Sequence, residues 1–314
     1  MDVLVVGDAN PDLILRGDVR PRFGQAEQLL TAADLVLGGS ASITAAGLGR
    51  LGVRTALLTK IGHDVFGDVT RRAITDRGVS LREVSRDADV PTGISVILSE
   101  VADKAILTLP GTIPTLLPSD ITDEHLAGVR HLHVASLYLQ PSLAAGLAEV
   151  FARAQASGVT TSLDTNWDPS EKWESIGAIL EHTDVFLPNA NELRAVTGVG
   201  DLDEAAGSLG GTTVVMKDGE HGGRAWWDGR RASAPGHVVE VVDTTGAGDS
   251  FNAGFLAARL QGETVESALR WAVAAGSLST RAAGGTAAQA TREDVLTLTQ
   301  DGPKDADARR PEER

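Results

Sequence analysis

The chain of 314 residues contains no cysteine, which excludes disulfides, thiolate nucleophiles and cysteine-ligated metal centres. Positive charge is scarce: 28 Lys and Arg stand against 43 Asp and Glu, a net charge of −15. Nucleic-acid backbones and anionic membranes are bound by clustered cations, so neither is expected as a partner. Any phosphate site must rely on backbone amides and a metal ion. Long apolar runs are also missing, and no stretch approaches the roughly 18 residues of a membrane span. The opening Met1-Asp2-Val3-Leu4-Val5-Val6-Gly7 lacks a basic region, and its apolar run is too short for a signal peptide. A soluble cytoplasmic protein is expected. Hydrophobic residues make up 42% of the chain, ample for a packed core.

Short apolar or β-branched runs alternate with longer helical patterns, the signal of βαβ units and a mostly parallel sheet. Strands are expected at Val3–Gly7, Thr55–Lys60, His131–Ala135, Thr160–Leu163, Val185–Leu187 and Thr213–Lys217. Helices are expected at Ser42–Leu51, Val65–Arg77, Leu143–Ala156, Glu171–Glu181, Glu192–Thr197, Asp249–Leu260 and Val265–Arg281. Two regions break the rhythm. Asp12–Leu15 with Asp34–Leu37, and Gly93–Glu100 with Ala105–Leu109, read as strand pairs with no helix between them. They form either a small separate sheet over a ligand or hairpins at a domain edge. The tail 301–314 is charged and poor in apolar residues, so disorder is expected there.

The most informative run is Asp243-Thr244-Thr245-Gly246-Ala247-Gly248-Asp249-Ser250-Phe251-Asn252-Ala253-Gly254-Phe255-Leu256. The apolar stretch Val238–Val242 before it reads as a strand or its end, and an apolar helical pattern follows. Small residues at the start of a helix let its unpaired N–H groups point together, and the helix dipole is positive there. Asp249 lies inside that pocket. Such a cradle holds charge while its carboxylate takes a proton, which suits phosphoryl transfer to a hydroxyl. A bare GAGD also fits a tight turn with a helix cap.

Polar residues follow several other strands, the edge where open α/β sheets bind ligands. Asn10-Pro11-Asp12 offers a carboxylate able to accept two hydroxyls, or an Asx-type turn. Gly38-Gly39-Ser40-Ala41-Ser42 opens a small-residue helix and allows close approach of a ligand. Asn189 and Glu192 read as a helix cap with its N3 glutamate, and as hard oxygen donors suited to Mg²⁺. Lys217-Asp218-Gly219-Glu220-His221-Gly222 on its own is an ordinary hairpin turn. The seven histidines show no metal-ligand spacing.

Taken whole, the fourteen-residue run resembles the C-terminal signature of the ribokinase/PfkB sugar-kinase family. The stretch from Gly38 to Gly52, with Gly62-His63-Asp64 and Gly67, resembles its N-terminal signature. The resemblance covers roughly residues 1–290. It implies a ribokinase-like three-layer α/β sandwich with a mostly parallel central sheet, and a small β-sheet lid from about 12–37 and 91–110. It also implies an ATP-dependent carbohydrate kinase. Asp249 matches the family's catalytic base, and Gly246, Ala247 and Gly248 its anion hole. Asn10, Asp12, Gly38, Gly39, Ser42 and Ile43 match the sugar side. Asn189, Lys217, Gly219 and Gly222, with Gly246 and Gly248, match the ATP side. Glu192 and Asn189 match groups that organise Mg²⁺ through water, and Asp243 and Thr245 match a monovalent-cation site, which implies K⁺. Asp164 and Asn166 match a stretch lining the cleft, and Ala274–Gly285 matches the adenine pocket. A homodimer through the lid is a further expectation.

One departure stands out. The family usually has a sugar-binding asparagine where this chain has Ile43, which cannot hydrogen-bond a hydroxyl. A nucleoside kinase of the same fold is therefore an alternative. A catalytically silent ligand-binding regulator is another, opposed by the intact Asp249 turn.

Overall fold

The structure is a computed structural model that describes residues 1–84, 89–100, 104–174 and 176–300. The tail 301–314 lies outside the described residues. The strands are Val3–Val6 (β1), Asn10–Gly17 (β2), Leu30–Gly38 (β3), Thr55–Thr59 (β4), Ser80–Glu83 (β5), Ile94–Ser99 (β6), Lys104–Leu109 (β7), His131–Ala135 (β8), Thr160–Asp164 (β9), Val185–Phe186 (β10), Thr213–Lys217 (β11), Gly223–Trp227 (β12) and Arg230–Ala234 (β13).

Nine of them form one sheet in the order β13-β12-β11-β10-β9-β8-β1-β4-β5. Its pairs are parallel from β11 to β5, and β12 and β13 add an antiparallel edge. β1 explains why the sheet is buried on both faces. Its four residues are all apolar and alternate sides. Val3 and Val5 join a core with Phe251, Phe255 and Trp271 from the helices Ala247–Leu260 and Val265–Ser279. Leu4 and Val6 join a second core with Phe151 and Phe186 on the other face.

The two expected strand pairs form a separate four-stranded sheet, β3-β2-β6-β7, in which β2 and β6 run parallel. The register sorts its faces. Asp12 pairs with Val36 and Ser95, and Ser95 with Thr108, so these share one face. Leu13 pairs with Leu35 and Val96, and Val96 with Leu107, so a leucine and valine row covers the other.

Several expectations fail, each for a local reason. Val238–Val242 is not a strand: Val238, Val241 and Val242 are exposed, and the Thr280 carbonyl at the Val265–Ser279 helix end accepts from the amides of Val242 and Asp243. β-branched composition without a ladder partner does not make a strand. The helix expected at Glu171–Glu181 shrinks to Gly177–Leu180. Upstream, the Asp168 carboxylate captures the amides of Ser170, Lys172 and Trp173, and Glu171 and Trp173 adopt positive φ, which a helix cannot accommodate. The helix expected at Leu143–Ala156 is two, Pro141–Ala144 and Leu147–Ala156, divided at Gly146. The edge strands β5, β12 and β13 were not expected.

Candidate active site

The Ala247–Leu260 helix begins two residues earlier than its apolar pattern suggests, with Gly246 at its N-cap. Gly246 has φ 71°, and a Cβ there would lie 2.5 Å from the Gly285 Cα. Glycine is thus required twice over. The Ala247 amide donates to the Thr244 carbonyl at 3.2 Å. The amides of Gly246, Gly248 and Asp249 have no acceptor among the described residues. The turn therefore presents free donors at the positive end of a fourteen-residue helix.

Asp249 lies in the first turn of this helix with 8% of its surface exposed. Burial, and next the charge of Asp164, push its carboxyl up to about 7; a hydrogen bond from Ser40 and the Lys217 ammonium oppose the rise. Ser40 Oγ donates to Asp249 Oδ1. Ser40 is itself held by Asp8, whose Oδ2 accepts from the Ser40 amide at 3.1 Å and whose Oδ1 accepts from the Ala41 amide at 2.9 Å. Asp8 thereby caps the Ser40–Arg50 helix from the segment after β1, and Ser136 Oγ donates to its Oδ2 as well.

Asn10 and Asp12 open β2 beside this cluster. Asn10 Nδ2 donates to Asp12 Oδ1 at 3.0 Å. A Cβ on Gly38 would lie 2.0 Å from the same oxygen, and one on Gly39 would lie 3.0 Å from Asn10 Oδ1. Four of the six residues expected on the sugar side, Asn10, Asp12, Gly38 and Gly39, are thus brought together, and only glycine fits at 38. Burial, then the nearby Asp8, push the Asp12 carboxyl up to about 7. Ser42 turns inward, its hydroxyl donating to the Gly38 and Gly39 carbonyls. Ile43 is 3% exposed and packs against Gly246 and Gly285, beneath the anion turn.

On the other side of the turn, Lys217 at the end of β11 lies so close that a Cβ on Gly248 would be 3.3 Å from Lys217 Cδ. Burial works against the Lys217 charge, but Asp164 and Glu192 more than restore it. Lys217 Nζ donates to Asp164 Oδ2 at 2.6 Å, and Asn252 Nδ2 donates to the same oxygen at 2.5 Å. Asn166 accepts from the Ser136 amide through Oδ1 at 2.9 Å, joining this stretch to Asp8. Asn189 and Glu192 form a capping box: Asn189 Oδ1 accepts from the amides of Asn191 and Glu192, and Glu192 Oε2 accepts from the Asn189 amide at 2.8 Å. Gly219 lies in the turn after β11, while Gly222 presses on the Ala234–Gly236 backbone. Val273 to Gly276 are buried, and Gly276 lies against Phe251.

Asp243 ties the anion turn to the loop that follows the Val265–Ser279 helix. Its Oδ1 accepts from the Thr245 amide and its Oδ2 from the Gly284 amide, both at 2.9 Å. Burial pushes the Asp243 carboxyl up, but these amides outweigh it and hold the group below the usual range. Lys104, the first residue of β7, donates from Nζ to Thr245 Oγ1 at 3.2 Å. The small sheet thus touches the anion turn.

Asp8, Ser136 and Lys104 were not singled out from the sequence, and Ser40 and Asn252 were read only as members of the runs that open their helices. Asp8 had a signal, since it directly follows β1 beside Asn10. Asn252 lies one helical turn after Asp249 and so shares its face. The contacts of Ser40 with Asp249, Ser136 with Asp8 and Lys104 with Thr245 join residues more than 100 positions apart. No group of three or more His, Asp or Glu able to hold a metal is found among the described residues. A cavity of about 350 Å³ lined by Trp226 to Arg231 lies elsewhere and includes none of these residues.

Comparison with known proteins matches the family model described as pfkB family carbohydrate kinase to residues 1–292. The chain is 32% identical over 279 residues to an ATP-dependent ribose-1-phosphate kinase of Halopiger xanaduensis, covering 88% of this chain and 91% of that one. Its fold matches an Arabidopsis thaliana ribokinase complexed with ribose and ATP, with a TM-score of 0.82, 25% identity and 95% and 98% of the two chains covered. A Xylella fastidiosa fructokinase with bound ATP shares the fold at a TM-score of 0.83, with 21% identity and 96% and 98% covered.

Proposed function

The chain belongs to the pfkB family of carbohydrate kinases and is an ATP-dependent sugar kinase, and from that premise we propose how its residues divide the work. Asp249 is the general base. It takes the proton of a sugar hydroxyl while the amides of Gly246, Ala247 and Gly248 stabilise the oxygens of the phosphoryl group in transit. The observation that carries this reading is the buried carboxylate at a helix N-terminus where the amides of Gly246, Gly248 and Asp249 have no acceptor among the described residues.

Asn10 and Asp12, over the bare backbone of Gly38 and Gly39, hold the sugar hydroxyls. Ser42 and Ile43 shape this side from beneath. Lys217, Asn189 and the turn Gly219–Gly222 serve the nucleotide. The donors fit Mg²⁺ held mainly by phosphates and water: Glu192 spends one oxygen on the cap, and its second is a hard ligand. When bound, Mg²⁺ would neutralise phosphate charge; Glu192 and Asn189 would orient its waters. Potassium, if it activates, would share Asp243 with the two amides already on it. The small sheet acts as a lid, with Asp12, Ser95 and Thr108 on the face toward the sugar. The opposite row of Leu13, Leu35, Val96 and Leu107 suits a homodimer, because Leu35 and Leu107 are exposed.

A second substrate reading is favoured by Lys104. A lid cation beside Thr245, whose charge acts on both Asp12 and Asp243, suits a sugar that already bears a phosphate. The test is ATP consumption on ribose, fructose, ribose 1-phosphate and a nucleoside. Turnover on a free sugar supports the first reading, and preference for the sugar phosphate the second. Turnover only on the nucleoside would replace both.

A further inference from the structure

We infer that Ser40 is a positioning residue for phosphoryl transfer: anchored by Asp8, its hydroxyl holds Asp249 Oδ1 so that Oδ2 is the oxygen offered to the substrate. The inference rests on the reading of Asp249 as the base. Ser40 is the first residue of its helix, and Asp249 lies in the first turn of another, 209 positions later. The two helices meet at their N-termini, and the Ser40–Asp249 hydrogen bond joins them there.

The anchor is unusually firm. Asp8 accepts from two successive amides, those of Ser40 and Ala41, and from the Ser136 hydroxyl. Ser40 therefore cannot shift without uncovering a buried carboxylate. Thr44, one turn further on, donates from Oγ1 to the Asp249 carbonyl at 3.4 Å and fixes the backbone end of the base. A carboxylate held at one oxygen cannot spin, so the substrate hydroxyl meets Oδ2 at a defined angle. As its oxygen bonds to the γ-phosphorus, the bond to the departing ADP oxygen breaks and the hydroxyl proton passes to Oδ2. A donor on Oδ1 stabilises the ionised base before that step.

The charged groups facing Asp249 are Asp164 from β9, Lys217 from β11 and Asp8 after β1. Asp164 and Asp8 favour the protonated carboxyl; Ser40 and Lys217 favour the ionised one. Removing the serine hydroxyl therefore has a signed effect. Ser40→Ala should move the acid limb of kcat to higher pH by roughly half a unit or more, since it removes a donor to the charged form. At neutral pH, kcat should fall about tenfold while the KM for ATP stays within about twofold, as for loss of an oriented group. Ser40→Thr keeps the hydroxyl and should restore the limb. Ser40→Cys, a weaker donor of similar size, should lie between, and it carries the test if the alanine variant does not fold. An unmoved acid limb in the alanine or cysteine variant overturns the inference. So does a rise confined to the KM for the sugar, which would make Ser40 a substrate ligand. If Asp249→Asn retains activity the base assignment itself fails; if that variant is dead while Ser40 variants keep the wild-type limb, only the role of Ser40 fails.

Discussion

At Asp249, burial and the charge of Asp164 raise the carboxyl to about 7, against Ser40 and Lys217. A base must be ionised to work, so activity should rise as pH increases through that region and fall on the acid side. A pH profile of kcat/KM checks this, and a flat rate from pH 5 to 8 would contradict it. Asp12 has a different task. Asp12→Ala should raise the KM for the sugar and leave ATP affinity nearly unchanged, because its neighbours Asn10 and Gly38 are the residues proposed for the sugar side. A fall in ATP affinity with sugar affinity retained would move Asp12 to the other half of the site. Glu192→Gln keeps the shape of the cap and removes a charge, so it should shift the Mg²⁺ titration to higher concentration. The proposals for Asp249, Asp12 and Glu192 start from the sequence, where each follows a strand or opens a helix in a recognisable run. The link from Ser40 to Asp249 was not legible there, because a contact between segments 209 positions apart leaves no local signal. Ile43 was placed on the sugar side by resemblance alone, and its packing against Gly246 and Gly285 has no sign in the sequence.

Among the elements, the Ala247–Leu260 helix was legible in its apolar stripe, but its start depends on the φ of Gly246. Gly246→Ala would force a Cβ into the Gly285 backbone and strain the turn, at about 1–3 kcal/mol. Thermal unfolding should register that loss, with turnover falling further than stability; an unchanged melting temperature and rate would mean the turn tolerates a side chain. Val238–Val242 misled for the converse reason, since its composition favours a strand but no neighbour offers a ladder. β8 and β9 carry a buried relay, in which His131 bridges Thr160 and Ser162 and His133 shares Ser162. Burial lowers both imidazoles, His131 to about 3 and His133 to about 4. Their folded values lie below the ordinary 6.5, so this contribution to stability is complete above 6.5 and is lost as pH falls toward 4. Proton NMR should find both rings neutral at pH 5, and a ring titrating near 6.5 would contradict their burial.

For the whole molecule, the alternation of strand and helix made the parallel sheet legible, and the two interruptions marked the small sheet. Its facing was not legible, because only the register decides which residues of β2, β3, β6 and β7 share a side. That register leaves Leu35 and Leu107 outward, so Leu35→Glu with Leu107→Glu should convert a dimer to a monomer in sedimentation; a wild-type monomer would remove the dimer from the account. The proposed chemistry lies where Asp8 after β1, Asp164 at the end of β9 and Lys217 at the end of β11 gather around Asp249. The claim that Asp249 does that chemistry is tested most directly by the steady-state kcat of Asp249→Asn on the best substrate. The account predicts a folded protein that still binds ATP and turns over at least ~10²-fold more slowly, as loss of a general base does. Near-wild-type turnover in that folded variant would contradict it.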